Sequence, residues 1–193
     1  MNVLFLDMDY VLNNSYLTRK WFDKRYLEYE DEKINFKNDY ELWDKIRKEF
    51  NEMMHYGKEY IFPELANRLN EVIEKVDLKI IWSSTWRLLP EYKDIENARE
   101  MLKRHGINGN ALIGYTGHND YIHRDHAYRA RIDEILSFVE KNDLGISKKD
   151  KLGAIDDLNL KSLEKYGIKF FQTEMEFGLT EEIKNDMINY YSK

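Results

Sequence analysis

The side chains in this sequence that could do chemistry fall into a few short contexts: Asp7 and Asp9 in FLDMDYV, Ser83, Ser84 and Arg87 in WSSTWR, Arg131 in RARIDEIL, and Asp156 and Asp157 in GAIDD. Carboxylates gathered round one point repel one another and raise each other's pKa unless a cation sits among them, and an all-oxygen ligand set suits magnesium. Hydroxyls and a guanidinium beside them would bind phosphoryl oxygens. The combination asks for a metal ion and a phosphate. Two readings stand for Arg87: a bidentate grip on a phosphate, or an ion pair with a nearby acid. Taken singly, each context also has a plain structural reading, since acids after a strand form turns and a Ser-Ser-Thr cluster caps helices.

Such residues work only if the fold delivers them to one place. Val3-Leu4-Phe5-Leu6 is an unbroken apolar run, as in a strand covered on both faces, and Asp7 and Asp9 follow where it ends. Pro63 opens a helix with Leu65, Leu69, Val72, Ile73 and Val76 on one stripe, and LKIIW follows as a second buried strand. A helix over Ile95 to Lys103 closes at His105-Gly106, and the strand ALIG comes next. The pattern continues with a helix over Arg131 to Glu140, the strand LGAI, a helix near Leu158 to Lys165, the strand IKFFQ and a last helix after Thr180. Strands alternating with helices predict an α/β, Rossmann-like parallel sheet with right-handed crossovers, whose strand carboxyl ends form the binding edge. The acids, hydroxyls and Arg131 all fall at that edge.

Residues 16–60 break the alternation. WFDKRYLEYEDEKINF and NDYELWDKIRKEFNEMM interleave aromatics with charge, and Leu42, Ile46, Phe50 and Met53 recur at helical spacing, which predicts an inserted helical lobe. The organisation expected is one core, residues 1–15 and 61–193, with a cap at 16–60. The aromatics Trp21, Phe22, Tyr26, Tyr29, Tyr40 and Trp43 suit either stacking on a base or the core of that lobe, and Lys20, Lys24 and Arg25 suit either phosphate contacts or a solvated face. His118, His123 and His126, with Asp120 and Asp125, match no standard zinc spacing and read as a polar loop.

The formal charge is −6 with a pI near 5.5, so no global basic field recruits long nucleic acid or an anionic membrane. The absence of cysteine excludes disulfides, thiolate catalysis and Cys-ligated zinc. No apolar run approaches a membrane span and the first residues are strand-like, so the expected setting is cytoplasmic, away from membranes. The oligomeric state is not encoded in any pattern here.

In this order the contexts resemble the motifs of the haloacid dehalogenase (HAD) superfamily of phosphohydrolases: DMDYV its DxDx[TV] signature, SSTWR the second motif, Arg131 the third and AIDD the fourth. IIWSSTWR, RIDEIL, AIDD and FFQTEMEFGLT further resemble the HAD domain of multidomain RNA-repair proteins, and AIDD with GIKFFQ is similar to polynucleotide 3'-phosphatase. The resemblance implies a magnesium-dependent phosphatase with Asp7 as nucleophile, Asp9 as general acid and base, Ser83 or Ser84 and Arg131 on the phosphoryl oxygens, and Asp7, the Asp9 main-chain carbonyl, Asp156 and Asp157 on magnesium. It implies a nucleotide or a phosphorylated nucleic-acid end as substrate. Other readings are a phosphatase of small sugar phosphates and a catalytically silent HAD-like interaction domain, hinted at by Tyr10 where the family often has glycine. A phospho-receiver would place its acid pair before the phosphoacceptor, and the order here is the reverse.

Overall fold

The computed structural model describes residues 1–31, 39–56, 61–117, 127–145 and 150–193. Five strands, β1 (Asn2–Leu6), β2 (Leu78–Trp82), β3 (Leu112–Tyr115), β4 (Lys151–Asp156) and β5 (Ile168–Gln172), form one all-parallel sheet in the order β3-β2-β1-β4-β5. Consecutive strands step outward from β1 on one side, and the chain then returns to build the other side. β1 and β4 therefore flank the point where the strand order reverses, which is where parallel sheets open a crevice.

Burial on both faces explains the continuous apolar runs. Leu4 and Leu6 of β1 join Ile80 and Trp82 on one face, while Val3 and Phe5 join Ile81 and Ala154 on the other. The first face is covered by α3 (Pro63–Val76), α4 (Ile95–Arg104) and α6 (Glu181–Ser192), the second by α5 (Ala127–Lys141). α3 shows why the sequence pattern works. Pro63 has no backbone N–H to leave orphaned, the stripe Leu65, Leu69, Val72 and Ile73 is buried, and Asp77 ends the helix in the left-handed region at φ 47°. Each such apolar side chain contributes roughly 1.5–3 kcal/mol on burial.

Two expectations shift. The helix read from Arg131 begins at Ala127, so Arg131 lies in its second turn rather than at its start. The helix read near Leu158 is a 3-10 segment over Lys161–Tyr166. The cause is local: the Asp156 side chain accepts the Leu158 N–H at 2.9 Å and the Asn159 side chain accepts that of Lys161 at 3.1 Å, and such side-chain bonds offer the backbone an alternative to an α-turn.

Between β1 and α3 the chain forms α1 (Ser15–Asp31) and α2 (Asp39–Tyr56), which pack on each other. Tyr29, Leu42 and Ile46 are the buried centre, with Trp21, Phe22 and Tyr26 against them. Trp43 lies stacked on Tyr26 at 5.2 Å and tilted on Phe22 at 6.4 Å, and Trp21 meets Phe22 edge-on at 5.3 Å. Trp21, Phe22 and Tyr26 thus pack on the core of the helical pair, while Trp43 stacks at its surface, 39% exposed. The Tyr40, Phe50 and Met53 side chains and the whole His118, His123 and His126 loop lie outside the described residues. Among the described residues, no helix is long and apolar enough to cross a membrane.

Candidate active site

The site starts where β1 stops. Asp7 still donates its N–H to the Ile155 carbonyl of β4 at 3.1 Å, and the Met8 carbonyl then accepts from Val11 and Leu12, closing a single tight turn. Tyr10 sits inside this turn at φ 55°, a left-handed conformation costing a side-chain-bearing residue about 1–2 kcal/mol, and its N–H is taken by the Asn13 side chain at 2.7 Å. The family's frequent glycine suits this same backbone. Asn13 donates in turn to Asp9 Oδ1 at 3.2 Å, and the Trp86 indole N–H donates to Asp9 Oδ2 at 3.0 Å. Both oxygens of Asp9 are thereby oriented by donors.

Asp7 is buried beside two further carboxylates. Oxygens of Asp7, Asp156 and Asp157 all lie within 4.8 Å of one another, and the Asp9 carboxylate is not among the three. Burial raises the Asp7 pKa from its ordinary 3.8 to about 6, Arg131 opposing and Asp9 adding to the rise. Burial likewise raises Asp156 well above its ordinary 3.8, helped by Asp7, and raises Asp157. Among the described residues one cation pairs with this group: Arg131 Nη1 stands 3.3 Å from Asp7 Oδ1 and 3.7 Å from Asp156 Oδ2, with its side chain buried. Among the described residues a single guanidinium pairs with these three carboxylates, which could hold a metal ion.

β2 supplies the hydroxyls. Ser83 continues the sheet, its N–H bonded to the Leu6 carbonyl at 2.8 Å, and its buried Oγ has no hydrogen-bond partner among the described residues. A buried orphan hydroxyl is uncommon and fits an incoming acceptor. Ser84 hydrogen-bonds Asp7, lowering its pKa against the effect of burial, and caps the following 3-10 turn Thr85–Leu88 by accepting from Trp86 at 3.4 Å.

Arg87 has a different place from the substrate grip held open above. Its guanidinium is buried and pairs with Glu134 of α5 at 2.6 Å, while donating to the carbonyls of Ser84, Thr116 (3.2 Å) and Gly117 (2.9 Å). With its donors spent on protein acceptors, it ties the Ser84 loop and the end of β3 to the helix that carries Arg131. Asn13, Trp86 and Glu134 are absent from the sequence reading. Glu134 alone left a signal, one helical turn after Arg131 on the same face.

A family model described as HAD domain in Swiss Army Knife RNA repair proteins matches residues 3–183. The chain belongs to this HAD family. No curated protein and no solved structure matches the chain. The HAD assignment agrees with the parallel sheet and with acids at the ends of β1 and β4, and it suggests a hydrolase of the phosphatase type.

Proposed function

We propose that this HAD domain is a magnesium-dependent phosphatase working through a phospho-aspartate on Asp7, with a nucleotide or a phosphorylated nucleic-acid end as its substrate. The observation that carries the reading is the convergence, at the strand ends, of the buried Asp7 and Asp156 and the half-buried Asp157 with the Arg131 guanidinium and the buried Ser83 hydroxyl, which has no partner among the described residues. The nucleic-acid part rests on the RNA-repair description of the family.

In this reading an Asp7 oxygen attacks phosphorus while the bond to the leaving oxygen breaks, and Asp9, held by Trp86 and Asn13, gives that oxygen a proton. Asp9 then takes a proton from water, whose oxygen attacks the aspartyl phosphate and frees both Asp7 and inorganic phosphate. Ser83, Ser84 and Arg131 hold the non-bridging oxygens, where negative charge develops. Asp7, Asp156, Asp157 and the Asp9 main-chain carbonyl would hold magnesium, which when bound neutralises the carboxylates and the phosphoryl charge. The α1–α2 pair acts as a cap over the strand ends. Tyr10 holds, at φ 55°, the left-handed backbone that glycine would supply, so the turn that carries Asp9 keeps its form.

The test is phosphate release, with and without magnesium, from nucleoside 3'- and 5'-monophosphates, phosphorylated oligonucleotides, sugar phosphates and phosphopeptides. Magnesium-dependent release with the nucleotide group leading is the expected result; sugar phosphates in the lead would overturn the substrate. Asp9→Asn separates acid catalysis from structure. Its loss is expected to be about 10²–10⁴-fold for nucleotide leaving groups and far smaller for an activated aryl phosphate, whose leaving group needs no proton. Equal losses on both would give Asp9 a structural role.

Metal binding has its own readout in thermal melts. Because the folded pKa of Asp7 is raised to about 6, and those of Asp156 and Asp157 are raised too, this cluster binds more protons in the metal-free fold than in the unfolded chain above about pH 4. Its contribution to stability therefore falls as pH rises through the window from about 4 to 6. Magnesium favours the ionised carboxylates, so it should raise the melting temperature more at pH 8 than at pH 5, by about 2.7 kcal/mol of stability at a hundredfold excess over Kd. Asp156→Ala should lose this shift. An equal shift in the wild type and Asp156→Ala would put the ion elsewhere.

A further inference from the structure

A cleft of about 830 Å³ opens between the start of α1 and the segment that follows β5, lined by Tyr16, Arg19, Lys20, Asp23, Met175 and Glu176. One wall leaves from the acid-bearing end of β1, and the other from the end of β5, the strand paired with acid-bearing β4. α1 follows the turn that holds Asp9, and the other wall begins at Thr173, whose N–H bonds the Asp156 carbonyl at 3.1 Å. Backbone and side-chain bonds lock the walls to each other: Tyr16 N–H to the Glu176 carbonyl at 3.3 Å, the Asn14 amide to the Phe177 carbonyl at 2.9 Å, and Leu179 N–H to the Val11 carbonyl at 2.9 Å. The two walls are thus fixed to each other and to the segments that follow Asp9 and pair with Asp156.

Its lining differs from the rest of the helical pair. Lys24 and Arg25 are spent on Glu28 and Glu49, whereas Arg19 and Lys20 make no ion pair among the described residues. Tyr16 and Met175 are 51% and 53% exposed, and Phe177 beside them is 46% exposed. Rings and unpaired cations side by side are what a single strand needs, bases stacking on the one and phosphates meeting the other. Asp23 and Glu176 balance the two cations, so the cleft has no net basic field, in keeping with a short segment rather than a long polyanion. Carboxylates there can also accept from base amino groups.

We propose that this cleft seats the nucleoside units next to the scissile phosphate, with Tyr16 and Met175 against a base and Arg19 and Lys20 on the adjoining phosphodiester. The proposal rests on the phosphatase reading for its substrate, yet its test can be read without turnover. Full-length Asp7→Asn protein is titrated with fluorescein-labelled tetranucleotides bearing a 3'- or 5'-terminal phosphate, by anisotropy across a salt series, with and without Arg19→Ala and Lys20→Ala together, and separately with Tyr16→Ala. Urea midpoints confirm that each variant is folded. Tyr16→Ala is expected to weaken binding roughly 5- to 150-fold. Loss of two phosphate contacts should flatten log affinity against log salt by about 1.4, at about 0.7 per contact for a single strand.

Unchanged affinity and slope in the double variant would overturn the proposal, as would failure of the Asp7→Asn protein to bind either tetranucleotide, or displacement by a phosphoserine peptide at equal concentration. Weakened binding in the double variant, alongside a wild type that frees phosphate from no substrate, would keep the cleft and remove the phosphatase reading. Phosphate release from tetranucleotides that the double variant binds as well as its parent would do the reverse.

Discussion

Asp7→Asn is expected to cut turnover by at least about 10⁴-fold while leaving the fold intact, the scale seen when a covalent nucleophile is removed. The amide is nearly isosteric, so Arg131, Ser84 and the turn at Met8 keep their places. The raised Asp7 pKa says more: burial works against the carboxylate in the metal-free fold, and the neutral amide is free of that cost. Metal-free Asp7→Asn should therefore melt no lower than the wild type at pH 8, even as its activity disappears. Retained turnover would remove the mechanism, and a large fall in melting temperature would recast Asp7 as a structural anchor for Arg131. Phosphate release and thermal melts on the same preparation decide between these outcomes.

Breaking the Arg87–Glu134 pair is expected to have the largest effect on stability. Both side chains are nearly fully buried, 4% and 3% exposed, and removing either partner strands the other charge where water cannot reach it. Such losses run to about 3–5 kcal/mol. Arg87→Met should lower the urea midpoint accordingly. Arg87→Lys should recover little of it, because a point charge cannot bond Glu134 and the carbonyls of Ser84, Thr116 and Gly117 together. The surviving folded fraction should also turn over more slowly, since the pair fixes the Ser84 loop relative to α5 and Arg131. A shift below about 1 kcal/mol in Arg87→Met would show the pair to be dispensable, as exposed pairs are.

Periodicity made the sheet legible in the sequence. Unbroken apolar runs of strand length, each followed by reactive side chains, indicate strands buried on both faces with a working edge at their carboxyl ends. The acids at the ends of β1 and β4 were readable for that reason. What escaped depends on three-dimensional pairing between distant segments. Nothing local in WSSTWR shows that the Trp86 indole reaches Asp9, or that Arg87 finds Glu134 on a helix beyond β3. The aromatics of the inserted lobe were ambiguous because stacking on a base and stacking on one another demand the same residue types. Packing chose the second for Trp21, Phe22 and Tyr26, and left Tyr16 and one face of the stacked Trp43 exposed. The early end of regularity after β4 turned on Asp156 capturing the Leu158 N–H, a competition that periodicity does not register.

The central position of β1 bears on how the chain is made. β1 pairs with β2 on one side and with β4 on the other, Asn2 standing opposite both Leu78 and Lys151. During synthesis β2 follows β1 within a modest length of chain, but β4 emerges only after β3 and α5. Until then β1 presents an open, fully apolar edge with unpaired backbone groups, the kind of template that recruits other chains. A nascent chain arrested before residue 151 should engage chaperones and aggregate on release, and one arrested beyond β5 should not. The nucleophile is laid down with the first strand, yet its partner Asp156 arrives with the strand that closes this edge, so the chain gains its chemistry and its protection from aggregation at the same step.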